Sequence, residues 1–114
     1  MSKWIAERKL LFSQKGSTQR RELIIRIGQP YLLEKGRVNF EFHEGAAGCP
    51  VDFAGLDEDH SHEAYGADSL QALQLAVNVE RVLETLSKKY DLFFPSGEPY
   101  FEVSEDEKDA AKHT

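Results

Sequence analysis

Cys49 is the only cysteine in 114 residues, so the chain cannot close a disulfide on itself. No apolar run approaches the roughly 18 residues a membrane-spanning helix requires. The opening Met-Ser-Lys-Trp is not a basic stretch leading into an apolar one, as an export signal would be. These absences lead to the expectation of a cytoplasmic protein that does not engage a membrane. Signatures of chemistry are missing as well. Gly45-Ala46-Ala47-Gly48 lacks the Lys-Ser/Thr pair of a phosphate-binding loop. Cys49, Ser61, Ser69 and Ser96 stand in no nucleophile motif with His43, His60, His62 or His113. The expectation is no cofactor and no catalytic residues.

What is present describes an ordinary globular chain. Apolar residues make up 40%, with seven Phe, four Tyr and one Trp, enough to build one core at this length. Residues 1–101 read as a single domain. Residues 102–114 hold five acids and, as their only aliphatic side chain larger than alanine, Val103, so they read as an acidic, flexible tail.

The net charge of −6 hides a division. Residues 1–37 carry nine bases and three acids, a net +6, and the rest carries five bases and seventeen acids, a net −12. Kept as separate surfaces, these halves would steer a charged partner or favour self-association. Interleaved in one sheet, they would cancel. In either case the larger, negative part repels nucleic acid.

The residue pattern predicts strands over Trp4–Phe12 and Glu22–Ile27, joined by the polar loop Gln14–Gln19. Tyr31-Leu32-Leu33 reads as a short edge piece after Pro30. Val38–Glu44 is the cleanest alternation in the chain, with Val38, Phe40 and Phe42 on one face, and predicts a third full strand. Gly45–Pro50 reads as a flexible connector and Val51-Asp52-Phe53 as a further strand. A long helix is predicted from about Ser69 to Lys89. Asp68 and Gln71 resemble a capping box at its start, Leu70, Leu73, Leu75, Val77, Val79, Val82 and Leu86 form its apolar stripe, and Lys88 and Lys89 face the negative end of its dipole. Leu92–Phe101, with Pro95 and Pro99, reads as a flap or hairpin sealing one end of the core. The fold class is α+β, an antiparallel sheet of about four to five strands packed against one long helix.

The segment Glu63-Ala64-Tyr65-Gly66-Ala67-Asp68-Ser69-Leu70-Gln71-Ala72-Leu73, followed by Lys89-Tyr90-Asp91-Leu92-Phe93-Phe94, resembles a family of small bacterial proteins known as a domain of unknown function. The resemblance covers roughly residues 53–101 and implies a bacterial source and an antiparallel sheet with one main helix. It brings no catalytic residues. In size and charge the chain is also similar to the immunity proteins that neutralise bacterial toxins.

Asp57-Glu58-Asp59-His60-Ser61-His62-Glu63 is the segment whose residue types point to function. His60 and His62, two apart on an extended chain, would share a face as a metal-binding pair, with Cys49 or His43 to complete it, but the spacing matches no zinc signature. A solvated acidic loop is the simpler account. Arg8, Lys9, Arg20, Arg21, Arg26 and Arg37 could line the sheet as a basic strip, or pair across strands with Glu7, Glu22 and Glu41. The reading that follows is a non-enzymatic protein-binding domain. Its partner would be a basic protein such as a toxin nuclease, met by Asp57, Glu58, Asp59 and Glu63. The alternatives are a metal-binding protein or metal-dependent enzyme centred on His60 and His62, and a homodimeric structural module.

Overall fold

The computed structural model describes residues 4–101. The tail expected over residues 102–114 lies outside them. The elements run β1 (Trp4–Gln14), β2 (Arg21–Gly28), β3 (Tyr31–Leu32), β4 (Ala47–Ala54), β5 (His62–Gly66), α1 (Ser69–Val77), α2 (Glu80–Leu86) and β6 (Tyr90–Phe93). The architecture is α+β with a six-stranded antiparallel sheet, a higher strand count than expected.

The pairing register fixes the strand order. Val51 of β4 pairs with Ile27 of β2 and His62 of β5, and Ala47 pairs with Leu32 of β3 and Gly66 of β5. A strand has one neighbour on each side, so β2 and β3 lie end to end along one edge of β4 and β5 lies along the other. β1 follows β2, and β6 follows β1. Pro99 bridges to Phe93, and the Tyr100 amide donates to the Leu92 carbonyl at 2.9 Å, so the chain after β6 folds back on it as the expected hairpin.

One face of the sheet carries Leu10, Phe12, Leu23, Ile25, Val51 and Phe53, all buried, as the alternation in β1, β2 and β4 requires. They share a single apolar cluster with Ala72 and Ala76 of α1 and with Val79, Leu83 and Leu86. The opposite, outer face carries the alternate residues.

Two expected elements differ. Val38–Glu44 is not a strand but part of a loop between β3 and β4. Its one backbone bridge is local, from Val38 to Lys35, and it pairs with none of the six strands. Its rings pack on each other instead: Phe40 lies 6.3 Å from Phe42 and 5.0 Å from Tyr65, centroid to centroid. Conversely, the supposed connector Gly45–Pro50 supplies the first half of β4. Its small residues are the reason: a Cβ at Gly48 would sit 2.6 Å from the Tyr31 hydroxyl, so the phenol crosses the strand where no side chain stands. Pro50 falls in the interruption between β2 and β3, where a missing amide is tolerated.

The helix is bent. Asn78, at φ −82° and ψ 71°, centres an inverse γ-turn in which the Val79 amide donates to the Val77 carbonyl at 2.9 Å. Two β-branched residues around an asparagine favour such a break. Leu70, Leu75 and Val77, assigned to the buried stripe from sequence, are exposed. The Asp68 carboxylate accepts from the Gln71 amide at 2.8 Å, and the Gln71 side chain accepts from Ala67 rather than from the cap residue itself. The helix ends at Leu86, short of Lys88 and Lys89.

Candidate functional site

The acidic segment divides between two environments. Asp57 receives a bidentate pair from Arg21, both contacts at 2.9 Å, and Glu58 accepts from Lys89 at 2.6 Å. Hydrogen bonding to these cations holds both carboxyls below their usual range and raises the pKa of each cation in turn. Asp59 accepts from the Ser61 amide at 2.8 Å, which lowers its pKa as well. These three acids form an internally compensated loop strapped to β2 and to the residue before β6. Under the strap, Arg21 lies 4.7 Å over the Phe12 ring and Phe12 meets Tyr90 edge to face at 5.3 Å. The Tyr90 hydroxyl is buried, with no partner at hydrogen-bonding distance.

Glu63 belongs to a different place. It is the second residue of β5, directly opposite Pro50 on the outer sheet face. Two residues along β4 in one direction lies Asp52, and in the other Gly48, flanked by Tyr31 on β3 and Tyr65 on β5. The Tyr31 hydroxyl donates to Glu63 Oε2 at 3.0 Å; burial, with this bond second, pushes the phenol's pKa up to about 12, so it remains a donor throughout the physiological range. The Ser61 hydroxyl donates to Asp52 Oδ1 at 2.5 Å, and Arg26 stands 4.0 Å from the other oxygen. Trp4, Pro50, Val51, Asp52, Ser61, His62 and Glu63 line an open cavity of about 330 Å³. Pro50 can lean in because Gly28 beside it has no side chain; a Cβ there would lie 2.7 Å from the proline ring. Glu63 has no cation within ion-pairing distance among the described residues.

The histidines do not converge. His62 Nδ1 lies 3.2 Å from the His60 carbonyl, its ring stacks on Phe53, and His60 Nε2 lies 3.8 Å from Glu58. Among the described residues no group of three or more His, Cys, Asp and Glu side chains is placed to hold a metal ion. Cys49 is buried, its Sγ 3.2 Å from the Gly28 carbonyl, and burial pushes its thiol pKa up. The Ser61 hydroxyl bonds to Asp52 while His62 Nδ1 lies by the His60 carbonyl, so these contacts link no serine to an imidazole.

Sequence reasoning picked Glu63 but missed its surroundings. Trp4, Tyr31 and Pro50 lie far from it in the chain, and only the register of β4 brings them together. Of the expected basic strip, Arg8 meets Glu80, Arg21 meets Asp57, Arg26 lies 4.0 Å from both Asp52 and Glu7, the pairing with Glu7 being one of those expected across strands, and Arg37 meets Glu34. Some of these contacts join the two halves of the chain and others lie within the positive half.

The fold and this surface define a small α+β domain with a half-exposed aromatic and acidic sheet face. The chain belongs to the family described as Domain of unknown function (DUF6968), whose model matches residues 6–91. That match includes β1 and β2, beyond the stretch in which sequence motifs alone showed a resemblance. No curated protein and no solved structure matches the chain. No helix among the described residues is long and apolar enough to cross a membrane.

Proposed function

We propose that this chain is a non-enzymatic protein-binding domain whose partner is a basic protein, in the manner of an immunity protein that covers a bacterial toxin such as a nuclease. The observation that carries the reading is Glu63: a carboxylate oriented by Tyr31, without an ion-pair partner among the described residues, beside an open cavity walled by Trp4 and Pro50. An exposed, positioned acid among rings is suited to a cationic side chain on another protein and has no evident use inside this one. Asp57, Glu58 and Asp59 extend the negative field around it. Asp57 and Glu58 keep 50% and 60% of their side-chain surface exposed despite their pairs, so they contribute to steering more than to contact.

Capture by the tagged chain from a bacterial lysate, eluted with salt, tests the reading. A basic protein retained in stoichiometric amount is expected. With the complex in hand, neutralising Asp57, Glu58, Asp59 and Glu63 together reduces the association rate on the order of tenfold at low ionic strength and flattens its salt dependence. Association kinetics unchanged by the four substitutions would remove this segment from the interface.

A further inference from the structure

Beyond the basic partner, we infer that the outer edge of β5 is the contact between two copies of this chain, joined antiparallel about Ala64 into one continuous sheet. The two ends of the sheet differ. At one, β6 is covered by its own hairpin, where the Phe94 amide donates to the Glu98 carbonyl at 2.8 Å and the Tyr100 amide to that of Leu92 at 2.9 Å. At the other, β5 pairs with β4 alone. Pro50 has no amide to give, so in that ladder it faces Glu63 as a non-hydrogen-bonded pair. The phase of the strand follows: His62, Ala64 and Gly66 turn their backbone groups to β4, and Glu63 and Tyr65 turn theirs outward. Among the described residues these outward amides and carbonyls meet no donor or acceptor, on a strand whose His62, Glu63 and Tyr65 are exposed.

The register open to this edge favours a second copy as its occupant. A two-fold pairing that uses the outward groups can centre on Glu63, Ala64 or Tyr65. Centred on Glu63, it would set two carboxylates directly opposite each other, which is destabilising. Centred on Tyr65, it would call on the Ala67 amide, which already donates to Gln71 Oε1 at 2.6 Å. Centred on Ala64, it lets Glu63 exchange both backbone bonds with the partner's Tyr65, and Tyr65 with the partner's Glu63. The side chains suit that register. Ala64 falls opposite the partner's Ala64 in a non-hydrogen-bonded pair, the closer of the two pair types, and His62 falls opposite the partner's Gly66. On the other face the two Tyr65 rings become diagonal neighbours within reach of each other. β5 carries no proline and no bulge, two of the devices that keep exposed edges apart.

Sedimentation equilibrium of the full chain from about 1 to about 500 µM tests the inference, with a monomer–dimer equilibrium expected at a dissociation constant on the order of 10–100 µM, as suits so short an interface. Tyr65→Pro removes an outward amide without taking a bond from β4, so it weakens the dimer by about tenfold or more, while Tyr65→Ala, which keeps the amide, weakens it less. Far-UV circular dichroism verifies the fold of each variant. The register is read by cross-linking with Cys49 replaced, since Cys49 lies opposite Ala64 on β4. In a Cys49→Ala background, Ala64→Cys oxidises to a covalent dimer at least about fivefold faster than Tyr65→Cys, because residue 64 alone meets its own copy within disulfide range. Salt separates this contact from the basic-partner reading: each copy carries a net −6, so raising the ionic strength tightens the dimer but weakens binding to a basic protein. A monomer throughout the range, a dimer that salt loosens, a dimer indifferent to Tyr65→Pro, or cross-linking as fast through Tyr65→Cys as through Ala64→Cys overturns the inference. Each of these outcomes leaves the basic-partner reading to be decided by the lysate capture.

Discussion

Tyr31 concentrates the logic of the site in one side chain. Its ring crosses β4 because residue 48 is glycine, and its hydroxyl orients Glu63 because the register places Glu63 diagonally across that strand. Burial, followed by the hydrogen bond to Glu63 and that carboxylate's charge, raises its pKa from 10.0 to about 12. A phenol whose pKa is higher in the folded state contributes stability that is fully present below its unfolded value and lost as pH rises through the folded one. Melting temperature should therefore fall between pH 10 and about 12, and Tyr31→Phe should flatten that fall. An identical alkaline profile in the variant would mean that the phenol is not held as described. The acids of the strap have the opposite sign: their lowered pKa values stabilise the fold above the ordinary carboxylate range and cease to do so as pH falls below it.

At the scale of elements, β5 and α1 approach closely. A Cβ at Gly66 would lie 2.5 Å from the Ala72 backbone nitrogen, and the neighbouring buried face of α1 is built from Ala72 and Ala76. Small residues on both sides allow this approach, so Gly66→Ala should push the elements apart and cost about 1–3 kcal/mol, measured by denaturant unfolding. A variant as stable as the parent would show that the approach is not tight. The same elements show what could be read beforehand. β1, β2, the start of α1 and the closing hairpin were legible because alternation, the Asp68 cap and paired prolines are local signals. The Val38–Glu44 alternation misled because a strand needs a partner strand, which no local pattern reveals. The first half of β4 was hidden because Gly48 and Pro50, poor strand residues in isolation, are chosen there for what crosses them. Helix periodicity ran straight through Asn78, since Val79, Leu83 and Leu86 continue the face of Ala72 and Ala76; the bend changes direction rather than side.

For the whole molecule, the division of charge along the chain largely disappears on folding. Folding brings Arg8, Lys15 and Arg21 onto acids from the other half, while Glu63 is among the described acids that meet no cation. Counting charges along the sequence could not separate the acids that hold the loop from Glu63 on the outer sheet face. That separation depends on which strand each acid joins. The domain thus has a sheet face whose buried residues share one apolar cluster with the helices, and an outer sheet face that the proposed reading assigns to a partner.

Hydrogen–deuterium exchange on the captured complex, compared with the free chain, tests this division most directly. The account predicts slower exchange in β3, in β5 and in β4 around Gly48–Asp52, with α1 unchanged. Protection confined to α1 around Leu70, Leu75 and Val77, with the outer sheet face exchanging as in the free chain, would contradict it.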